Sequence, residues 1–149
     1  PAAFAAAIAT DGQVFAEPWL VGPEYTVGIL QGEALPAIRI ETPNTFYDYE
    51  AKYLRNDTQY HCPAGLSLEA ERHMAALARG AFAAAAGEGW GRVDFMMDVT
   101  GRPLLLEINT VPGMTDHSLV PMAAAAAGID FDTLVWRVLE TSFTRRRGT

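Results

Sequence analysis

Four side chains stand at spacings that could serve chemistry: Arg92, Asp94, Glu107 and Asn109. The first pair lies in residues 90–98 and the second in residues 103–110, two runs rich in strand-forming residues. Side chains alternate across a strand, so Val93, Phe95 and Met97 share one face and Arg92, Asp94 and Met96 the other. In the second run Leu104, Leu106 and Ile108 share one face, and Leu105, Glu107 and Asn109 the other. Asp98-Val99-Thr100-Gly101 reads as the hairpin turn between them, which puts Asp94 nearly opposite Glu107. Two carboxylates and a carboxamide are hard oxygen ligands, the set Mg²⁺ takes when it also meets nucleotide phosphates. Glu107 can bridge two ions, with Asp94 on one and Asn109 on the other. Two carboxylates this close need a cation between them, or one must protonate. The plain alternative is a solvated polar face on an amphipathic hairpin. Against it, Leu104-Leu105-Leu106 is apolar on both faces and points to a covered strand.

The elements around this hairpin follow from the same patterns. Residues 1–9 suit a helix, and residues 13–20, 25–31 and 34–41 read as three strands of an antiparallel meander. Pro36 belongs at an edge or a bulge, because it has no N–H for a ladder. A short helix fits residues 47–53, and residues 54–66 read as irregular. Ser67 is a good N-cap, Glu69 and Glu71 suit a first helical turn, and Gly87 closes that helix. Ser118 can cap a helix to Ala127, with Pro121 tolerated in its first turn. Asp130 caps a last helix, in which Leu134, Val135, Val138 and Leu139 recur at helical spacing. The class is α+β, an antiparallel sheet with packed helices.

Composition narrows the function. Half of the 149 residues are hydrophobic and 19% are charged, which excludes a disordered chain. A net charge of −7 speaks against binding nucleic acid, and no apolar run approaches a membrane span. The lone cysteine, Cys62, excludes an internal disulfide and has no evident base partner for nucleophilic work. His61, His73 and His117 stand at no metal-binding spacing and carry no role. The chain opens inside an alanine-rich helical stretch without Met, so it is expected to be a piece of a longer protein.

Three strings then stand out: residues 89–94 (GWGRVD), 105–110 (LLEINT), and 112–121 (PGMTDHSLVP). Upstream, EPWL at 17–20, GPEYTV at 22–27 and FYDYEAKY at 46–53 accompany them in order. Together they resemble the C-terminal part of the D-alanine–D-alanine ligases, which are ATP-grasp enzymes, over nearly the whole chain. The resemblance implies a partial ATP-grasp domain over residues 1–149, with the N-terminal substrate domain and the phosphate-covering loop absent. It implies ATP-dependent joining of two D-alanines through a D-alanyl phosphate, for peptidoglycan synthesis in the bacterial cytoplasm. It further implies a homodimer for the full-length protein, and about half of an active site, inactive by itself, for this chain.

Residue roles come with the resemblance. Asp94, Glu107 and Asn109 match the ligands of two Mg²⁺ or Mn²⁺ ions. Arg92 matches the cation that stabilises the acyl phosphate and the tetrahedral intermediate, a task suited to a forked, permanently charged donor. The backbone N–H of Gly113 matches a second oxyanion donor. Ser118 and Leu119 match the pair that grips the carboxylate of the second D-alanine. Glu17, Trp19 and Leu20 fall in the strand that reads the adenine edge, Glu24 on the ribose hydroxyls, and Phe46 and Met96 against the base. Pro18 departs from the family, which commonly has a basic residue there; its carbonyl remains but a side-chain contact is lost. Lys52, the only lysine, matches one near the transferring phosphate. Tyr53 matches a loop position tied to second-substrate choice, where tyrosine goes with D-alanine and Phe or His with depsipeptide formation. Two alternatives stand beside this reading: an ATP-grasp carboxylate–amine ligase for another amine, and a non-catalytic nucleotide-binding module.

Overall fold

The computed structural model describes residues 2–10, 12–42 and 58–144. Phe46, Lys52, Tyr53 and the helix expected at residues 47–53 lie outside them. The elements in chain order are α1 (Ala2–Thr10), β1 (Glu24–Leu30), β2 (Glu33–Ala34), β3 (Ile38–Glu41), β4 (Gln59–His61), α2 (Leu68–Ala84), β5 (Trp90–Met97), β6 (Pro103–Asn109), α3 (Leu119–Ala126) and α4 (Phe131–Thr144). The strands form one antiparallel sheet in the order β4-β3-β1-β5-β6, with β2 also paired to β1. The expected α+β class holds. No single described helix is long and apolar enough to cross a membrane.

β1 is the spine of the sheet. Tyr25, Val27 and Ile29 point to one face, where they bury against Met74, Ala78 and Phe82 of α2. That helix is sited by its cap: Ser67 Oγ accepts the N–H of Ala70 at 3.2 Å, and Glu69 and Glu71 fill the first turn. The other face of the sheet carries Glu24, Thr26 and Gly28. At one end it is closed by α3 and α4, through Val120, Ala123, Ala124 and Leu134 packed on Leu30, Leu35 and Ile38. The remainder of that face is left for the site. Asp130 caps α4, its Oδ1 accepting the N–H of Thr133 at 2.7 Å.

Several expectations are corrected. Residues 13–20 are not a strand. Both edges of β1 are already taken, by β2 and β3 on one side and β5 on the other, so the stretch has no ladder to join there. The strand expected at 34–41 is split into β2 and β3, because Pro36 cannot donate. The freed Ala37 N–H goes instead to Glu71 Oε1 at 2.7 Å, tying the break to α2. Residues 59–61, read as irregular, form β4 against β3. Helix α2 ends at Ala84, and the left-handed residue beyond it is Ala86 (φ 53°), not Gly87. A side chain on Gly87 would meet the Phe82 ring, so that glycine serves packing.

The hairpin itself holds a further correction. Its turn is as expected: Asp98 N–H donates to Arg102 O, Gly101 N–H donates to Asp98 O, and Gly101 takes φ 80°. However, Asp94 pairs with Glu107 while Phe95 pairs with Leu105, so β6 has a bulge at Leu106. Strict alternation therefore slips. Leu104 falls opposite Met96 on the site face, and Leu105 falls opposite Phe95 on the other. Nor is the strand covered: β6 is the outer strand, with Leu105 and Leu106 49% and 41% exposed.

Candidate active site

The ladder puts three strands' functional residues in one patch. Thr26 of β1 pairs with Asp94 of β5, which pairs in turn with Glu107 of β6; Arg92 pairs with Asn109. Directly paired residues point to the same side of a sheet, so all five share the face left open by α3 and α4. Asp94 is buried, at 4% exposure, and its carboxylate is the hub. Oδ1 accepts Thr26 Oγ1–H at 2.6 Å and Arg92 Nε–H at 2.9 Å. Oδ2 accepts Arg92 Nη2–H at 2.8 Å and Asn109 Nδ2–H at 3.0 Å. The Asn109 amide also reaches Glu107 Oε1, at 3.2 Å. One guanidinium and one amide thus stand among two carboxylates.

This donor set fits a hard divalent cation. Among the described residues no three His, Cys, Asp or Glu side chains converge, so a cation held by Asp94 and Glu107 would draw a further oxygen from the Asn109 amide. That amide lies between both carboxylates, and a half-turn about its terminal bond presents carbonyl oxygen where the NH₂ now stands. The set is then all oxygen.

One cavity opens on this patch and a second adjoins the first. The first, of about 390 Å³, is lined by Arg92, Asp94 and Asn109 on its sheet side and by Gly113, Ser118 and Leu119 on its loop side. The other, of about 370 Å³, is lined by Trp19, Leu20, Glu24 and Met96 with Arg39 and Ile40. Glu24 and Ile40, cross-strand partners in β1 and β3, line both. Glu17 precedes the wall of the second cavity and does not line it. Gly22 makes that wall possible: a Cβ there would stand 1.9 Å from the Met97 carbonyl oxygen, so only glycine lets the connector lie on β5. Pro23 O then accepts the Met97 N–H at 2.9 Å.

Ser118 differs from a plain helix cap. It is the N-cap residue of α3 but makes no side-chain cap bond. Its Oγ instead accepts the Thr115 N–H at 3.0 Å and lies 2.9 Å from Thr115 Oγ1, folding the 112–118 loop over the cavity. Gly113 closes the loop: a Cβ on it would meet Ser118 Oγ at 3.0 Å. His117 also lines the cavity, as a highly exposed residue beside Asp116. Cys62 stays apart, its thiol pushed up by burial and then by the Glu71 carboxylate, which disfavours the nucleophilic thiolate.

Sequence reasoning missed Thr26, Arg39, Ile40 and Tyr60. Ile40 and Tyr60 enter through the β3–β4 pairing, which the pattern did not reveal. Arg39 Nε is a buried donor with no hydrogen-bond partner among the described residues. Thr26 had a usable signal, a hydroxyl in an otherwise apolar stretch of β1.

Residues 1–140 match the family model described as the D-ala D-ala ligase C-terminus. The chain belongs to that family. A D-alanine–D-alanine ligase of Alkalilimnicola ehrlichii is 62% identical over 147 residues, covering 99% of this chain and 47% of the relative. That of Halorhodospira halophila is 59% identical over 137 residues, covering 92% of this chain and 45% of its own length. The chain spans about half the length of the curated relatives it matches. Among solved structures, the D-alanine–D-alanine ligase of Bacillus anthracis complexed with ATP superimposes with a TM-score of 0.74 at 31% identity, over 88% of this chain and 41% of that one. The α+β fold read from the sequence is that of the ligase C-terminal part.

Proposed function

We propose that this chain provides the C-terminal portion of an ATP-dependent, ADP-forming ligase that joins two D-alanines. In that reaction a D-alanine carboxylate attacks the γ-phosphorus of ATP, the bond to ADP breaks, and D-alanyl phosphate forms. The amine of a second D-alanine attacks the acyl carbon, inorganic phosphate leaves with the C–O electron pair, and the amine gives up its proton. Asp94, Glu107 and Asn109 would hold Mg²⁺ or Mn²⁺, which when bound draws charge off the phosphates.

The other roles belong to the protein's own groups. The cavity walled by Trp19, Leu20 and Met96 suits an adenine base, and Glu24, at the junction of the two cavities, suits ribose hydroxyls. Glu17 adds a polar end to that connector, and Phe46, Lys52 and Tyr53 are carried by the family resemblance alone. Arg92 offers fixed donors toward charge developing at the acyl centre, with the Gly113 N–H as a second donor. Ser118 and Leu119 at the start of α3 suit the carboxylate of the second D-alanine. A cytoplasmic homodimer is the assembly that goes with this reading.

The observation that carries it is the sharing of Glu24 and Ile40 by both cavities, which sets a nucleoside-sized space beside the acidic cluster. The test is a chimera of this chain with the N-terminal half of the Alkalilimnicola ehrlichii relative. It is expected to form D-alanyl-D-alanine and release phosphate from ATP, and Glu107→Gln is expected to lower kcat by roughly 100-fold or more. D-serine and D-lactate as second substrates separate the dipeptide reading from a ligase of other specificity. A folded chimera that makes no dipeptide would overturn the proposal.

A further inference from the structure

We infer that Thr26 is a positioning residue for Asp94, setting the plane of the carboxylate that the metal site uses; the inference rests on the metal reading above. Thr26 is 1% exposed on the central strand, whose other buried residues are Tyr25, Val27, Gly28, Ile29 and Leu30. A valine would fill the same space and suit a strand as well, so a buried hydroxyl is a cost unless it is bonded. Its one proton goes to Asp94 Oδ1 across the β1–β5 ladder at 2.6 Å, the short distance of a charge-assisted bond.

The geometry makes this hydroxyl a fixed point. β1 is held on both sides by other strands, and β-branching restricts the Thr26 rotamer. With Oδ1 pinned by Thr26 and Arg92 Nε, the oxygen presented toward Asn109 is Oδ2. Turning the Asp94 carboxylate out of this plane would leave the Thr26 hydroxyl buried and unpaired, which is unfavourable. Arg92 grips both carboxylate oxygens, Nε–H to Oδ1 and Nη2–H to Oδ2, whereas Thr26 holds Oδ1 alone from a neighbouring strand. Thr26 thus acts through Asp94, without itself touching the ligand.

The experiment is Mn²⁺ titration of the 149-residue chain in the presence of ADP, by calorimetry and by the Mn²⁺ paramagnetic resonance signal, beside thermal unfolding. Thr26→Val is expected to weaken Mn²⁺ binding by roughly 10–100-fold, the usual effect of removing a partner behind a metal ligand, and Thr26→Ser to restore it to within about 3-fold. Thr26→Ala takes the place of the valine variant if that one does not fold. A purely structural role would move the unfolding midpoint and leave Mn²⁺ affinity within about 2-fold, which would overturn the inference. Asp94→Asn separates the two readings. If the folded parent binds no Mn²⁺, or binds it equally with Asp94→Asn, the metal reading falls and takes this inference with it.

Discussion

Arg92 and Asp94, two residues apart on β5, are joined by two parallel hydrogen bonds: Nε to Oδ1 at 2.9 Å and Nη2 to Oδ2 at 2.8 Å. Residues at this spacing lie on one face of a strand, so the pairing needs no loop to bring it about. The fork matches a carboxylate in a way a lysine cannot. It also sets the one guanidinium of the patch beside the carboxylates that need compensation.

Removing the cation should therefore cost more than removing the pair. Arg92→Leu leaves Asp94 charged at 4% exposure and is expected to destabilise the chain by about 3 kcal/mol. Adding Asp94→Asn should recover part of that loss, because the uncompensated charge goes. Urea unfolding of both variants checks this. A single variant as stable as the parent would show that Asp94 is compensated otherwise.

Gly22→Ala places a methyl 1.9 Å from the Met97 carbonyl oxygen, which is backbone and cannot step aside. The connector carrying Trp19 and Leu20 must lift off β5. Destabilisation of about 1–3 kcal/mol is expected, the range for overpacking, with weaker ADP binding by calorimetry. Gly12→Ala, where nothing lies within 4 Å, is the matched control and should do neither.

Asp98 gives a pH signature. The Thr100 hydroxyl, then the Arg102 backbone N–H, hold its carboxyl down at about 2, from an ordinary 3.8. A depressed folded pKa stabilises the fold above the unfolded value, and that contribution is lost as pH falls from about 4 towards 2. Asp130, lowered by the Thr133 backbone N–H and then its hydroxyl, acts in the same direction. Thermal unfolding across this window should show a shallower decline for Asp98→Asn than for the parent. An unchanged slope would show that the turn does not hold the ionised form in solution.

Period-two alternation on its own was enough to put Arg92, Asp94, Glu107 and Asn109 on one face, since the residues of each pair share a strand and a turn of readable chemistry joins the strands. The caps at Ser67 and Asp130 were equally legible, because capping is a bond between near neighbours. The bulge at Leu106 was not: an extra residue on one strand leaves no mark in an all-leucine run, and only the pairing reveals it. Residues 13–20 looked like a strand for the same kind of reason, since propensity is local while a ladder needs a partner edge, and β1 had none to offer. Thr26 and Ile40 joined the site through partners 68 and 16 residues away, Asp94 and Glu24. Short-range spacing thus sufficed for the chemistry of each segment. Which segments lie side by side, and hence which hydroxyl holds which carboxylate, was set by sheet order, because burial of the β1 core against α2 and α3 selects it from residues far apart in the chain.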